Sequence, residues 1–168
     1  KGGDSSNSNH YDSDSNGPAD GGGGVRQELG CISYQYNVLG TRGPRKMVAA
    51  IPAVDASGRK MYSPVNESDT ILDRIKQGRN LQEILMLRNK PPRWNEDLGA
   101  YCLNFNGRVT EASVKNFQLV ATDNLNYVVL QFGKVGENTF TMDYQWPMSA
   151  LQAFCICISS FDNKLACE

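Results

Sequence analysis

The residues best placed for chemistry are the cations of LGTRGPRK, Arg42, Arg45 and Lys46. Two glycines and a proline make this stretch a loop, where exposed backbone N–H groups and cations can hold a phosphate together. The plainer reading is a hairpin turn whose charges are only solvated. Catalysis has less to work with. Glu96-Asp97 is the only adjacent carboxylate pair, and it follows Pro91-Pro92-Arg93-Trp94 in what reads as a solvated loop. His10 is the only histidine, and neither a GxSxG elbow nor a Walker loop is present. The residues therefore offer no catalytic set.

Five cysteines, Cys31, Cys102, Cys155, Cys157 and Cys167, are an odd number without framework spacing. On a helix Cys155 and Cys157 point about 200° apart, so they can neither pair nor chelate one metal. With one histidine, a zinc site has too few ligands. The expectation is five free thiols, no metal and no cofactor, in a reducing compartment.

The elements that must position these groups follow from composition and periodicity. The chain has 168 residues, 40% hydrophobic and 21% charged, which fits one soluble globular domain. Its net charge is -1, with a local -3 over residues 1–24 and +2 over the rest. An anion site must then be a local cluster, since no global field exists. Residues 1–24 are Gly/Ser/Asn/Asp-rich and read as a disordered insert or tail; they contain no apolar core of a signal peptide. Residues 25–168 read as the folded part.

Ile32, Tyr34, Tyr36 and Val38 alternate with polar residues, the period of a strand. Met47 to Val54 resumes extended chain. Ser68 is the expected cap of a helix through Ile71, Leu72 and Ile75 that stops at Gly78. Further strands are expected at Ile84–Leu87, Tyr101–Phe105, Val114–Val120, Tyr127–Phe132 and Asn138–Met142, with Asn106-Gly107 as a hairpin turn.

Tyr144 to Phe161 runs 18 residues without a charge. It is too short and too polar at its ends for a membrane span. Leu151, Phe154, Ile156 and Ile158 are apolar on every side of a helix expected from Pro147 to Phe161, and such a helix is buried. Asp143 and Asp162 are expected to serve its ends. Short strands bury such a helix only by wrapping it. The expected fold is mainly β, an antiparallel barrel closed around a central helix whose core is Leu151, Phe154, Ile156, Ile158 and Phe161.

The residues then match a family. FTMDYQWPMSALQAFCICISSFDNKLACE at the end of the chain resembles the terminal signature of the tubby family. So do NVLGTRGPRKM, NKPPRWNEDLGAYCLNFNGRVTEASVKNFQLV and NYVVLQFGKV, and the resemblance covers residues 25–168. It implies a twelve-stranded barrel threaded by an apolar helix. The family domain is longer, and its Lys-Leu-Arg-Ser-Asn segment, which helps bind lipid headgroups, has no counterpart here. The chain thus resembles the C-terminal part of a tubby domain, an N-terminally incomplete barrel.

The resemblance also implies a function without catalysis. It implies binding of phosphatidylinositol 4,5-bisphosphate at the inner plasma membrane, with roles in signalling or delivery of membrane-protein cargo. The implied location is the cytoplasm, peripheral at that membrane, with the nucleus as a second site. The family's Arg-Gln-Glu-Leu contributes an arginine to the phosphoinositide pocket, and the matching residue is Arg26, which becomes the lead site residue ahead of Arg42, Arg45 and Lys46. A DNA-binding transcription regulator and a protein-interaction adaptor remain as alternatives. A net +2 over residues 25–168 speaks weakly against the first, which needs a broad positive groove.

Overall fold

The computed structural model describes residues 27–35, 46–64 and 68–162. Residues 1–26, which include Arg26, the expected loop residues Arg42 and Arg45, the expected strand residues Tyr36 and Val38, and Cys167 lie outside them. Six strands form one antiparallel sheet: β1 (Cys31–Gln35), β2 (Lys46–Pro52), β3 (Ile84–Asn89), β6 (Phe117–Ala121), β7 (Val128–Gly136) and β8 (Thr139–Tyr144), side by side in that order. A separate hairpin, β4 (Arg93–Asn95) and β5 (Ala100–Cys102), stands between β3 and β6 in sequence. Helix α1 (Ile71–Gln77) lies between β2 and β3, and α2 (Ala150–Ser159) follows β8.

The alternation of side chains gives this sheet two buried faces. On one, Met47, Ala49, Ile51, Leu87, Phe117, Leu119 and Phe132 form a core with Ala153, Ile156 and Cys157 of α2. On the other, Ala50 and Ile84 pack with Tyr62 and Ile71 under α1. Strands buried on both faces read as apolar runs rather than as alternation. That is why β3 and β6 are legible only as short hydrophobic stretches.

Several expectations need correction. The cap of α1 is Thr70, whose hydroxyl accepts from the Asp73 N–H at 3.1 Å, and not Ser68. Gly78 ends the helix in the left-handed conformation, as expected. Helix α2 starts at Ala150 rather than Pro147, because Ser149 and Gln152 form a capping box. The Asn106-Gly107 turn exists, with both residues at positive φ and the Arg108 N–H on the Phe105 carbonyl at 3.0 Å. It joins no ladder, however. β5 pairs back onto β4, and the chain after the turn crosses the outer face of the sheet, where Val109 meets Gly133 of β7.

The largest correction concerns α2. Ile156 is 3% exposed, but Leu151 is 56%, Phe154 54% and Ile158 51% exposed. Phe161 lies edge-on to Phe132 and Phe140 yet is 38% exposed. The helix buries Gln152, Ala153, Ile156, Cys157 and Ser160, one stripe at the helical period. An open sheet covers only one side of a cylinder. Its end strands, β1 and β8, are far apart in the strand order, so among the described residues nothing wraps the opposite side.

Candidate anion-binding site

The strand registers assemble a cluster that spacing along the chain does not reveal. Lys46 opens β2 opposite Gln35 and is exposed. Two residues on, Val48 lies opposite Arg88 of β3, so Lys46, Val48 and Arg88 share one face. Lys90 follows Arg88 by two, and its N–H continues the ladder onto the Gln118 carbonyl at 2.8 Å. Lys46, Arg88 and Lys90 thus stand together on the face away from α2. Among the described residues none of the three has an ion-pair partner, so their charge is free to meet an external anion.

Other cations are already committed. Arg74 makes a two-pronged contact with Asp69 at 2.9 and 3.0 Å and reaches Glu83 at 2.6 Å, and its guanidinium lies 3.7 Å above the Tyr62 ring. Its side chain is nearly enclosed. The hydrogen bond to Arg74 holds the Asp69 carboxyl below its usual range, and Asp69 returns the effect by raising Arg74. Arg108 forks onto Asp143 at 2.8 and 3.0 Å, which likewise lowers Asp143. Asp143 therefore serves a strand pair and a crossing segment, not the end of α2. Lys134 pairs with Glu111 and Arg59 with Asp55.

The Asp69 and Asp143 shifts have a sign. A carboxyl whose folded pKa is depressed adds stability above its unfolded value, ordinarily about 3.9, and that stability drains away as pH falls through the folded value. The chain should therefore lose part of its thermal stability below about pH 4. Arg74→Ala removes the Asp69 part and should flatten that acid limb while lowering the melting midpoint near neutrality. An unchanged acid limb, followed by circular dichroism melts from pH 3 to 7, would place the linkage elsewhere.

At the other end of β1, the residues after Arg26 are fastened one by one. The Gln27 amide donates to Ser63 at 3.1 Å and accepts from Lys60 at 3.0 Å. Glu28 accepts from the Ile71 N–H at the start of α1, at 2.8 Å, and Gln152 of α2 donates to the Leu29 carbonyl at 2.8 Å. Gln27 and Lys46 thus lie at opposite ends of β1, so the structure does not gather Lys46 with the segment that carries Arg26.

No described helix is long and apolar enough to cross a membrane. Cys155 is exposed and Cys157 buried, on opposite sides of α2 as their spacing requires. Burial pushes the Cys157 thiol up to about 12, which keeps it protonated and unreactive. Glu96 and Asp97 form the exposed turn of the β4–β5 hairpin.

The Tub family model matches residues 1–163. The chain belongs to the Tub family. It is 54% identical to Tubby-related protein 1 of Mus musculus over 156 residues, covering 90% of this chain and 28% of that protein. Tubby-related protein 3 of Homo sapiens is 51% identical over 145 residues, covering 86% and 33%. Tubby protein homolog 1 of Caenorhabditis elegans is 43% identical over 150 residues, covering 86% and 35%. The chain spans between 28% and 35% of the length of these relatives. Of the basic cluster, sequence reasoning singled out Lys46 and passed over Arg88 and Lys90. Their two-residue spacing after an apolar run was the available signal.

Proposed function

We propose that this Tub-family chain is part of a non-catalytic module that binds phosphatidylinositol 4,5-bisphosphate at the inner plasma membrane. There it acts as an adaptor in signalling or membrane-protein trafficking, with cytoplasmic and nuclear pools. The observation that carries the reading is the Arg-Gln-Glu-Leu match at Arg26. The three residues after it are each tied down, Gln27 to the β2–α1 connection, Glu28 to α1 and Leu29 to α2, which gives a headgroup-binding arginine a stiff base. Lys46 and Arg88 add attraction to an anionic surface without a defined pocket. We also propose that further strands in the longer family domain close the sheet into a barrel over Leu151, Phe154 and Ile158. The open end strands and the exposed apolar stripe support that reading.

Arg26→Ala should weaken binding to bisphosphate-lipid vesicles about tenfold or more, the worth of one charge-assisted hydrogen bond. Neutralising Lys46 and Arg88 should cost less per residue, about 1 kcal/mol at low salt, and should fade as salt screens it. The measurement is vesicle sedimentation at equal surface charge, with phosphatidylserine replacing the bisphosphate lipid. Equal losses on both vesicles would reduce Arg26 to a rim charge. A duplex-DNA shift that outcompetes the vesicles at matched salt would favour the transcription-regulator alternative instead.

A further inference from the structure

The β4–β5 hairpin stands off the main sheet and leaves a cavity beneath it. Its walls come from the stretch 90–104, which runs from the end of β3 (Lys90) through the hairpin (Arg93, Trp94) to Leu103 and Asn104, and from the loop at Asn126. It is a half-open groove of about 450 Å³, in the size range of small-molecule pockets, roughly 300–1,000 Å³. Two cations line it and no carboxylate does, although Glu96 and Asp97 sit in the same hairpin. Arg93 donates one N–H to the Asn126 side-chain carbonyl at 3.0 Å, which fixes the guanidinium and leaves its other donors uncommitted. Lys90 is half-buried and has no ion-pair partner among the described residues. The Trp94 ring is held edge-on by Tyr101 at 5.2 Å and 70°, and Trp94 remains exposed.

We propose that this cavity is a second anion site, for a small phosphate monoester whose other end is a planar ring, of the mononucleotide kind. A guanidinium fork, an ammonium and the amides of Asn95, Asn104 and Asn126 suit a tetrahedral dianion. Trp94, which lines the cavity and is exposed, is the aromatic group available to a ring at the far end of the ligand, and Leu103 and Leu98 supply apolar wall. The site shares Lys90 with the basic face but uses neither Arg26 nor Lys46, so Arg93, which belongs to it alone, is the residue that separates it from the lipid reading.

The test uses the full chain with Trp146→Phe, so that the emission of Trp94 is read alone. Adenosine 5′-monophosphate should quench it saturably. Adenosine and inorganic phosphate, each holding half the ligand, should bind at least about tenfold more weakly. Arg93→Ala should lose about tenfold in affinity for the nucleotide, whereas Arg26→Ala and the exposed control Lys76→Ala should lose nothing. Circular dichroism melts establish that each variant is folded. The proposal is overturned by the absence of saturable quenching, or by equal losses in Arg93→Ala and Lys76→Ala. It also fails if vesicles carrying a phosphorylated headgroup bind through Arg93 while the nucleotide does not, since the cavity then serves the lipid surface.

Discussion

Ile156→Asp should leave the chain unfolded at 25 °C, while Phe154→Asp should leave it folded. Ile156 is 3% exposed in the core between α2 and the sheet, whereas Phe154, two residues earlier, points away from it. Removing a buried isoleucine side chain costs about 2–5 kcal/mol before any charge is considered. An unpaired carboxylate in the same place adds its desolvation, and the sum consumes most of the roughly 5–15 kcal/mol that holds a domain together. Phe154→Asp exposes no new apolar surface in the sheet and should cost less than about 1 kcal/mol. Thermal melts of both variants decide the matter. In a longer protein whose strands cover this side of α2, Phe154→Asp should become as damaging as Ile156→Asp, so the same pair of variants also tests barrel closure. A folded Ile156→Asp protein would remove α2 from the core.

Gly133→Ala should be nearly as harmful as a core truncation, although it adds a single methyl group. A Cβ at Gly133 would overlap both methyl carbons of Val109, coming within 2.9 Å of one and 3.1 Å of its Cβ. The backbone of Gly133 is ordinary strand, so the cost is crowding rather than strain. Overpacking of this kind costs about 1–3 kcal/mol. Val109 cannot simply step aside, because its neighbours are fastened. Thr110 and Glu111 donate to the Lys134 carbonyl at 3.1 Å, and Thr141 donates to the Arg108 carbonyl at 2.8 Å. The double variant Gly133→Ala/Val109→Ala should recover much of the loss, since the offending methyls are gone. A loss in Gly133→Ala that Val109→Ala leaves untouched would contradict this contact.

How much of this was legible beforehand depends on how far apart the partners lie in sequence. Ile32 and Tyr34 announce β1 by their own spacing, and Gly78 announces the end of α1 by its need for a left-handed backbone. The apolar character of α2 was legible as well. It reports what the helix is suited to be covered by, which is more than the described residues cover. The basic face was not legible, because it exists only through the Val48–Arg88 register between strands about forty residues apart. The Asn106-Gly107 turn misled for a related reason. Its geometry is local and correct, but whether its flanks form a ladder depends on Val109 finding Gly133 in a strand not yet reached. The cavity beside the β4–β5 hairpin is drawn from residues 90–104 of one stretch, but the Asn126 that anchors Arg93 comes from a loop beyond β6 that spacing does not announce.

The register of the meander carries a consequence of its own. Gln118, Gln131 and Asp143 lie opposite one another across β6, β7 and β8. Gln118 donates to Gln131 at 2.6 Å, Gln131 to Asp143 at 3.2 Å, and Gln118 also to the Asn104 carbonyl at 2.9 Å. Among the buried side-chain atoms of the described residues, only the Gln118 Oε1 acceptor is left without a partner. Hydrophobic neighbours tolerate a two-residue slip, since a slip of two keeps every side chain on its own face. Amides do not tolerate it. A slipped β6–β7 pairing would strand buried donors and acceptors at about 1–3 kcal/mol each. The polar row therefore acts as a key among interchangeable apolar teeth, and it disfavours near-native pairings once the sheet has buried it.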